Sequence, residues 1–145
     1  YPIHLVTHQP ANKLHGQTDP SSLSRNDKIH GREPVLIHPD DARQRDIQDG
    51  DIVRLFNERG ACLAAAVVTD DVMPGVAAMA TGSWFDPQDD QLERHGNPNV
   101  LTRDQGTSSL AQGPSPKSLL IDIERWQGTA PDVQVFTPPR MESTT

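Results

Sequence analysis

Pro34-Val35-Leu36-Ile37-His38-Pro39-Asp40-Asp41-Ala42-Arg43-Gln44-Arg45-Asp46-Ile47-Gln48-Asp49-Gly50-Asp51-Ile52-Val53-Arg54-Leu55-Phe56-Asn57 alternates between strand, helix and turn signals within a short span. The apolar run at 34–38 is bounded by prolines and predicts a buried strand. Pro39 suits an early helical position, and Asp40 and Asp41 place negative charge where a helix N-terminus favours it, so one or two helical turns follow to Arg45. Residues 47–51 carry Asp49-Gly50, a strong turn signal. Residues 52–57 return to a strand pattern.

Outward from this unit the same punctuation continues. Glu58-Arg59-Gly60 predicts a hairpin connection, with Gly60 supplying a positive φ. Residues 61–69 are the return strand, 70–75 a turn, and 76–80 a further strand. Upstream, residues 3–7 read as a short strand and 9–27 as a long, polar, irregular loop. Downstream of Ser83-Trp84-Phe85-Asp86-Pro87 the chain turns polar through Asp89, Asp90, Glu93, Arg94 and His95. A Gly/Ser/Gln-rich segment fills 104–118, and residues 119–126 form a final strand. The chain is therefore expected to be mostly β with one or two short helices, its close-spaced strands and Gly/Pro turns favouring a barrel over residues 1–127. Residues 128–145 are expected to be an extended, mobile C-terminal tail.

Composition narrows the function. The 145 residues suit one domain, and 13 Pro with 10 Gly argue for short elements rather than a helical bundle. A net charge of −7 with no run of Lys or Arg excludes nucleic acid as a partner. An anionic cofactor remains compatible, because backbone N–H groups hold phosphate in acidic proteins too. The single cysteine, Cys62, precludes an internal disulfide and a cysteine-rich metal site, and its apolar surroundings predict a buried hydrophobe. No apolar stretch approaches the ~20 residues of a membrane helix. Tyr1-Pro2-Ile3-His4 carries neither an initiator Met nor a signal peptide, so we expect a piece of a longer chain. Periplasmic or cytoplasmic localisation would then be set by a leader elsewhere.

The search for chemistry is mostly negative. His4 and His8 share one side of an extended chain, but no zinc-protease Glu accompanies them. Ser21-Ser22 and Ser108-Ser109 lack the Gly-x-Ser-x-Gly turn of a hydrolase nucleophile. Neither common glycine-rich phosphate loop is present. Three loops are instead rich in hydrogen-bonding groups: Thr7-His8-Gln9-Pro10-Ala11-Asn12-Lys13-Leu14-His15-Gly16-Gln17, Gly96-Asn97-Pro98-Asn99-Val100-Leu101-Thr102, and residues 105–115 with Gln112-Gly113-Pro114. Asn and Gln can read a heterocycle edge, and Gly lets backbone approach phosphate. Composition alone leaves ligand-binding loops and plain solvated loops both open.

The ordered motifs resemble the molybdopterin-dinucleotide-binding C-terminal domain of the dimethyl sulfoxide reductase family, above all its trimethylamine N-oxide, dimethyl sulfoxide and biotin sulfoxide reductases. His8-Gln9-Pro10 with Lys13-Leu14-His15-Gly16-Gln17 looks like the family's Gln-Pro followed by Arg-Leu-His-Ser-Gln. Gly82-Ser83-Trp84-Phe85-Asp86-Pro87, residues 96–102, and Gly106-Thr107-Ser108 through Gln112-Gly113 look like its later signatures. Lys13 and Gly16 depart from the pattern, replacing a planar fork with a point charge and removing a hydroxyl.

The resemblance spans about residues 3–126 and implies a double-psi β-barrel. It implies a molybdenum bis(molybdopterin guanine dinucleotide) cofactor bound together with the remaining domains of a parent S-oxide or N-oxide reductase. His8, Gln9, Lys13, Leu14, His15, Gly16, Gln17, Asn97, Asn99, Gln112, Gly113 and Pro114 are the expected cofactor-binding residues. The metal's protein ligand would lie in an earlier domain, so no catalytic or metal-ligating residue is assigned here. The competing reading is a free-standing double-psi barrel serving as an interaction module without redox function. A small hydrolase is disfavoured for want of a nucleophile–base pair.

Overall fold

The computed structural model describes residues 1–89, 91–115 and 119–142. Residue 90 of the polar segment, 116–118 of the Gly/Ser/Gln-rich segment and 143–145 of the tail lie outside the described residues. The strands are β1 (Ile3–His8), β2 (Pro34–Ile37), β3 (Ile52–Phe56), β4 (Ala61–Val68), β5 (Val76–Ala80), β6 (Pro87–Asp89), β7 (Leu92–Glu93) and β8 (Leu119–Arg125). Helix α1 covers Ser22–Asn26, α2 covers Pro39–Gln44, and a 3-10 helix covers Pro98–Leu101.

Six strands close on themselves in the order β2-β5-β1-β8-β3-β4, with β4 returning to β2. The pairs β1–β5 and β2–β4 are parallel, and the others in the ring are antiparallel. Exchanging β1 with β4, β2 with β5 and β3 with β8 reproduces every one of these pairings, so the ring has an internal two-fold logic. Its two interlocked parallel crossings are those of the double-psi β-barrel. Alternation along the strands supplies the core. β1 buries Ile3, Leu5 and Thr7, β3 buries Val53 and Leu55, and β8 buries Leu119, Ile121 and Ile123. Ala61 to Ala66 of β4 are all buried, which its small side chains permit on both faces of the strand. Cys62 is fully buried there, and burial pushes its thiol pKa well up, as suits a core residue.

Helix α2 forms as its sequence predicts. Pro39 opens it, Asp40 and Asp41 occupy the first turn, and the His38 ring accepts the Asp40 N–H at 3.1 Å. Asp41 accepts the Gly75 N–H at 2.7 Å, which fixes the helix to the β4–β5 turn. Three departures have local causes. Helix α1 lies inside the expected loop 9–27 because Ser21 caps it by accepting the Ser24 N–H. The β6–β7 hairpin is too short and polar to show a pattern; Asp89 holds it by accepting the Gln91 and Leu92 N–H groups. Gly60 does not adopt the expected positive φ. It is required by space instead, since a Cβ there would lie 2.9 Å from the Val100 carbonyl oxygen.

The described residues of the tail contain no helix or strand; those at 131–136 pack on the rest of the domain, while 137–142 are exposed. Arg32 donates to the Pro131 carbonyl, and the Gln134 N–H donates to Asp86 at 2.7 Å.

Candidate functional site

The strand pairing gathers the loops. Because β1 and β5 run parallel, the loop after His8 and the segment after Ala80 leave from the same barrel end. β2 and β8 run antiparallel to β5 and β1, so Pro34 and Leu119 begin at that end as well. The connections 9–33, 81–86 and, among the described residues, 94–115 are therefore neighbours, although they are distant in sequence. All three loops singled out from the sequence sit here.

Beneath them lies a buried charge cluster. Lys13 Nζ meets Asp19 at 3.0 Å and Glu33 at 2.8 Å, while Lys28 Nζ meets each of the same two carboxylates at 2.9 Å. The four side chains are at most 5% exposed. Ser24 donates to Asp19, Ser83 donates to Glu33 at 2.7 Å, and the Trp84 N–H donates to Asp19 at 3.0 Å. Two cations and two anions balance, and each carboxylate has hydrogen bonds besides its ion pairs, which is what makes buried charge tolerable. Burial alone would raise the carboxyl pKa values. The Trp84 N–H and both lysines overcome it at Asp19, and Lys28, Lys13 and Ser83 overcome it at Glu33, so both are lowered. Burial works against the Lys13 ammonium too, but Glu33 and then Asp19 outweigh it and its pKa is raised.

Lys13 thus points inward, away from the surface where the loop's other candidates lie. Gln9, Leu14, His15 and Gln17 are exposed, and Gly16 is half-buried. His8 is exposed at the end of β1, with its ring near the Gln9 carbonyl. His15 takes a positive φ of 49°, and its carbonyl presses on Gly82, where a Cβ would stand 2.6 Å from that oxygen. The Gly16 carbonyl accepts the Trp84 indole N–H at 2.5 Å. A Cβ at Gly16 would meet only ordinary contacts at 3.5 Å, so this glycine is not required by space.

Glu93 organises the next loop. Its carboxylate is 2% exposed and accepts four backbone N–H groups: Asp86 at 3.2 Å, His95 at 2.9 Å, and Gly96 and Asn97 at 2.8 Å each. Burial nevertheless leaves its pKa raised. Asn97 donates to the Ser83 carbonyl at 2.9 Å and caps the 3-10 helix by accepting the Asn99 N–H at 3.0 Å. Asn57 holds the far end of the loop by donating to the Leu101 carbonyl at 2.9 Å. Asn99 faces solvent. Gln112 and Pro114 are exposed and Gly113 half-buried in the third loop, which is closed by the Thr107 N–H to Gly113 carbonyl bond and a Gly106–Pro114 bridge. Among the described residues, the hydrogen bonds of 105–115 stay within that loop.

Sequence reasoning missed Asp19, Lys28, Glu33, Glu93 and His95 as the supports of these loops. The only signal was a scatter of charges in polar segments, with nothing to mark them as buried. Among the described residues, no group of three or more His, Cys, Asp or Glu is arranged to hold a metal ion. No helix among them is long and apolar enough to cross a membrane.

The arrangement fits a large polar ligand. Among the described residues, no hydrogen bond within the chain engages the side chains of Gln9, His15, Gln17 or Asn99, while the backbone beneath them is pinned by buried charge. Outward, unengaged donors and acceptors on loops held from beneath are what a cofactor-binding domain requires. The chain belongs to the molydopterin dinucleotide-binding domain family, whose sequence pattern matches residues 3–120.

It is 46% identical over 145 residues to a trimethylamine-N-oxide reductase from Haemophilus influenzae, covering 97% of this chain and 18% of that protein. It is 50% identical over 131 residues to a biotin sulfoxide reductase from Cereibacter sphaeroides, covering 90% and 18%. A dimethyl sulfoxide/trimethylamine N-oxide reductase of the same organism is 43% identical over 144 residues, covering 97% and 18%. The chain thus spans less than a fifth of the length of these relatives. Acetylene hydratase from Pelobacter acetylenicus shares the fold at 13% identity, with a TM-score of 0.69 over 87% of this chain and 18% of that one.

Proposed function

We propose that this domain positions the pterin and nucleotide parts of a molybdenum bis(molybdopterin guanine dinucleotide) cofactor within a longer S-oxide or N-oxide reductase. When bound, the cofactor supplies two-electron oxygen-atom transfer at its metal. This chain supplies position. The observation that carries the reading is the division of the first two loops, 7–17 and 96–102, into a buried support and exposed readers. Lys13, Asp19, Glu33 and Glu93 fix the backbone, while His15, Gln17 and Asn99 present unengaged polar groups. His8, Gln9, His15 and Gln17 are assigned to pterin or diphosphate, and Asn99, Gln112, Gly113 and Pro114 to heterocycle or phosphate groups. Leu14 and the Gly16 backbone give the first loop its contact surface. Lys13 and Asn97 act through the loops they hold. The remaining domains of the parent complete the pocket.

The test is Asn99→Ala in the full-length enzyme, with molybdenum and pterin measured per polypeptide after purification. Reduced content is expected, because Asn99 carries no structural side-chain bond. Undiminished content and activity would remove Asn99 from the site.

A further inference from the structure

Phe136 lies beyond the residues matched by the family pattern, in the segment whose sequence reads as tail. Its ring is nevertheless engaged on three sides. The Trp84 ring lies 5.7 Å away at 48°, the His95 ring 5.2 Å away in an edge-to-face pair, and the Arg25 guanidinium 4.4 Å over its face. The Thr137 N–H to Gln134 carbonyl bond makes the turn that presents the ring. Arg32 to the Pro131 carbonyl and the Gln134 N–H to Asp86 hold this segment on either side.

Each residue that Phe136 touches belongs to a different piece of the site. Arg25 is in α1, within the connection that carries Lys13 to Gln17. Trp84 sits after β5 and ties that connection through Gly16 and Asp19. His95 directly precedes Gly96-Asn97. Its ring is fully buried; Nδ1 engages the Trp84 carbonyl at 2.9 Å, while Nε2 has no partner among the described residues. Phe136 packs edge-to-face on this ring and so forms part of the surface that buries it.

We propose that residues 131–137 are a strap that locks the cofactor loops together, and that Phe136 is a positioning residue for the cofactor. The inference rests on the reading that these loops hold the molybdopterin dinucleotide. Phe136 touches no reader side chain; it fixes the supports behind them, so its loss raises the cofactor's escape rate without removing a contact.

The experiment compares full-length wild type, Phe136→Ala, Phe136→Tyr and Arg25→Gln. Pterin release from the purified holoenzymes is followed by fluorescence, and hydrogen exchange is measured over residues 9–17. Phe136→Ala is expected to release pterin at least roughly tenfold faster, the lower end of what two lost ring pairs and one lost cation–π contact carry. Exchange at 9–17 should rise with it, and Phe136→Tyr should restore both readouts. Arg25→Gln, which leaves every ring in place, should shift both in the same direction by less, and it serves alone if Phe136→Ala does not fold. Unchanged release and exchange in Phe136→Ala, or a Tyr variant no better than Ala, would overturn the strap. A wild-type enzyme purified without pterin would instead sink the cofactor reading, while the exchange at 9–17 would still decide the strap.

Discussion

Lys13 and Asp19 stand six positions apart on one polar loop and meet as a fully buried ion pair at 3.0 Å. Lys13→Met should leave a net negative charge buried with Asp19 and Glu33, at a cost of about 3–5 kcal/mol, the usual penalty for removing one partner of such a pair. Lys13→Arg should cost much less, since a planar guanidinium can also engage two carboxylates. Urea denaturation of the two variants checks the ordering. Equal losses would show that the charge of Lys13 is irrelevant to the loop.

The cluster also makes a pH prediction. Asp19 and Glu33 have lowered pKa values in the fold, so the stability they contribute is present above the ordinary carboxylate range and is lost as pH falls through their folded values, below about pH 4. Glu93 is raised by burial and works the other way, favouring the fold less as pH rises through its own titration. Carboxyl-resolved NMR titration should find Asp19 and Glu33 titrating below the ordinary range and Glu93 above it. The reverse order would contradict the packing described here.

His95 gives a second, separate window. Burial first, and Lys28 next, lower its pKa, so the folded ring gains a proton less readily than the unfolded chain. Its contribution is complete above about pH 6.5 and diminishes as pH falls below that value, because the unfolded chain gains the proton first. The urea midpoint should therefore drop between pH 7.5 and 5.5. A His95 ring that NMR finds titrating above the ordinary histidine value would end this account.

Glu93→Gln replaces one acceptor oxygen with an NH2 group that faces backbone N–H donors. A loss of about 2–3 kcal/mol is expected, the scale of hydrogen bonds to a buried charge. Exchange should rise at His95, Gly96 and Asn97 before it rises in β3 or β8. Loss spread evenly over the barrel would show that Glu93 has no local role.

Gly82→Ala tests the contact between two loops. Gly82 has a φ of 99°, and a Cβ would stand 2.6 Å from the His15 carbonyl oxygen. The substitution should cost at least about 2 kcal/mol through strain and displacement, with the largest NMR shifts at His15 and Gly16. Shifts confined to β5 would refute the predicted path.

The strands were legible because their signal is local. Val53 and Leu55, or Ile121 and Ile123, alternate inward as the chain itself dictates, and Pro39 with two acids announces α2. The elements that escaped notice are held by single side chains folding back on the backbone: Ser21 on Ser24, Asp89 on Gln91 and Leu92, Asn97 on Asn99. The candidate readers were legible as residue types, and the resemblance gave them a ligand. Their supports were not, because Lys13, Glu33 and Ser83 become neighbours only after β1 pairs with β5. The same distance in sequence hid the packing of Phe136.

The ring order also sets a timetable for synthesis. β1, the first strand of the ring to be made, lies between β5 and β8 and has no neighbour among β2, β3 and β4. While the ribosome is still working on the middle of the domain, residues 9–27 are tethered to a strand with nothing to pair with. Only when β8 has emerged can the barrel shut and its loop-bearing end take shape. Completion of β8 is then the step that closes the loop-bearing end, and a chain stopped before residue 119 would lack the strand that joins β1 to β3.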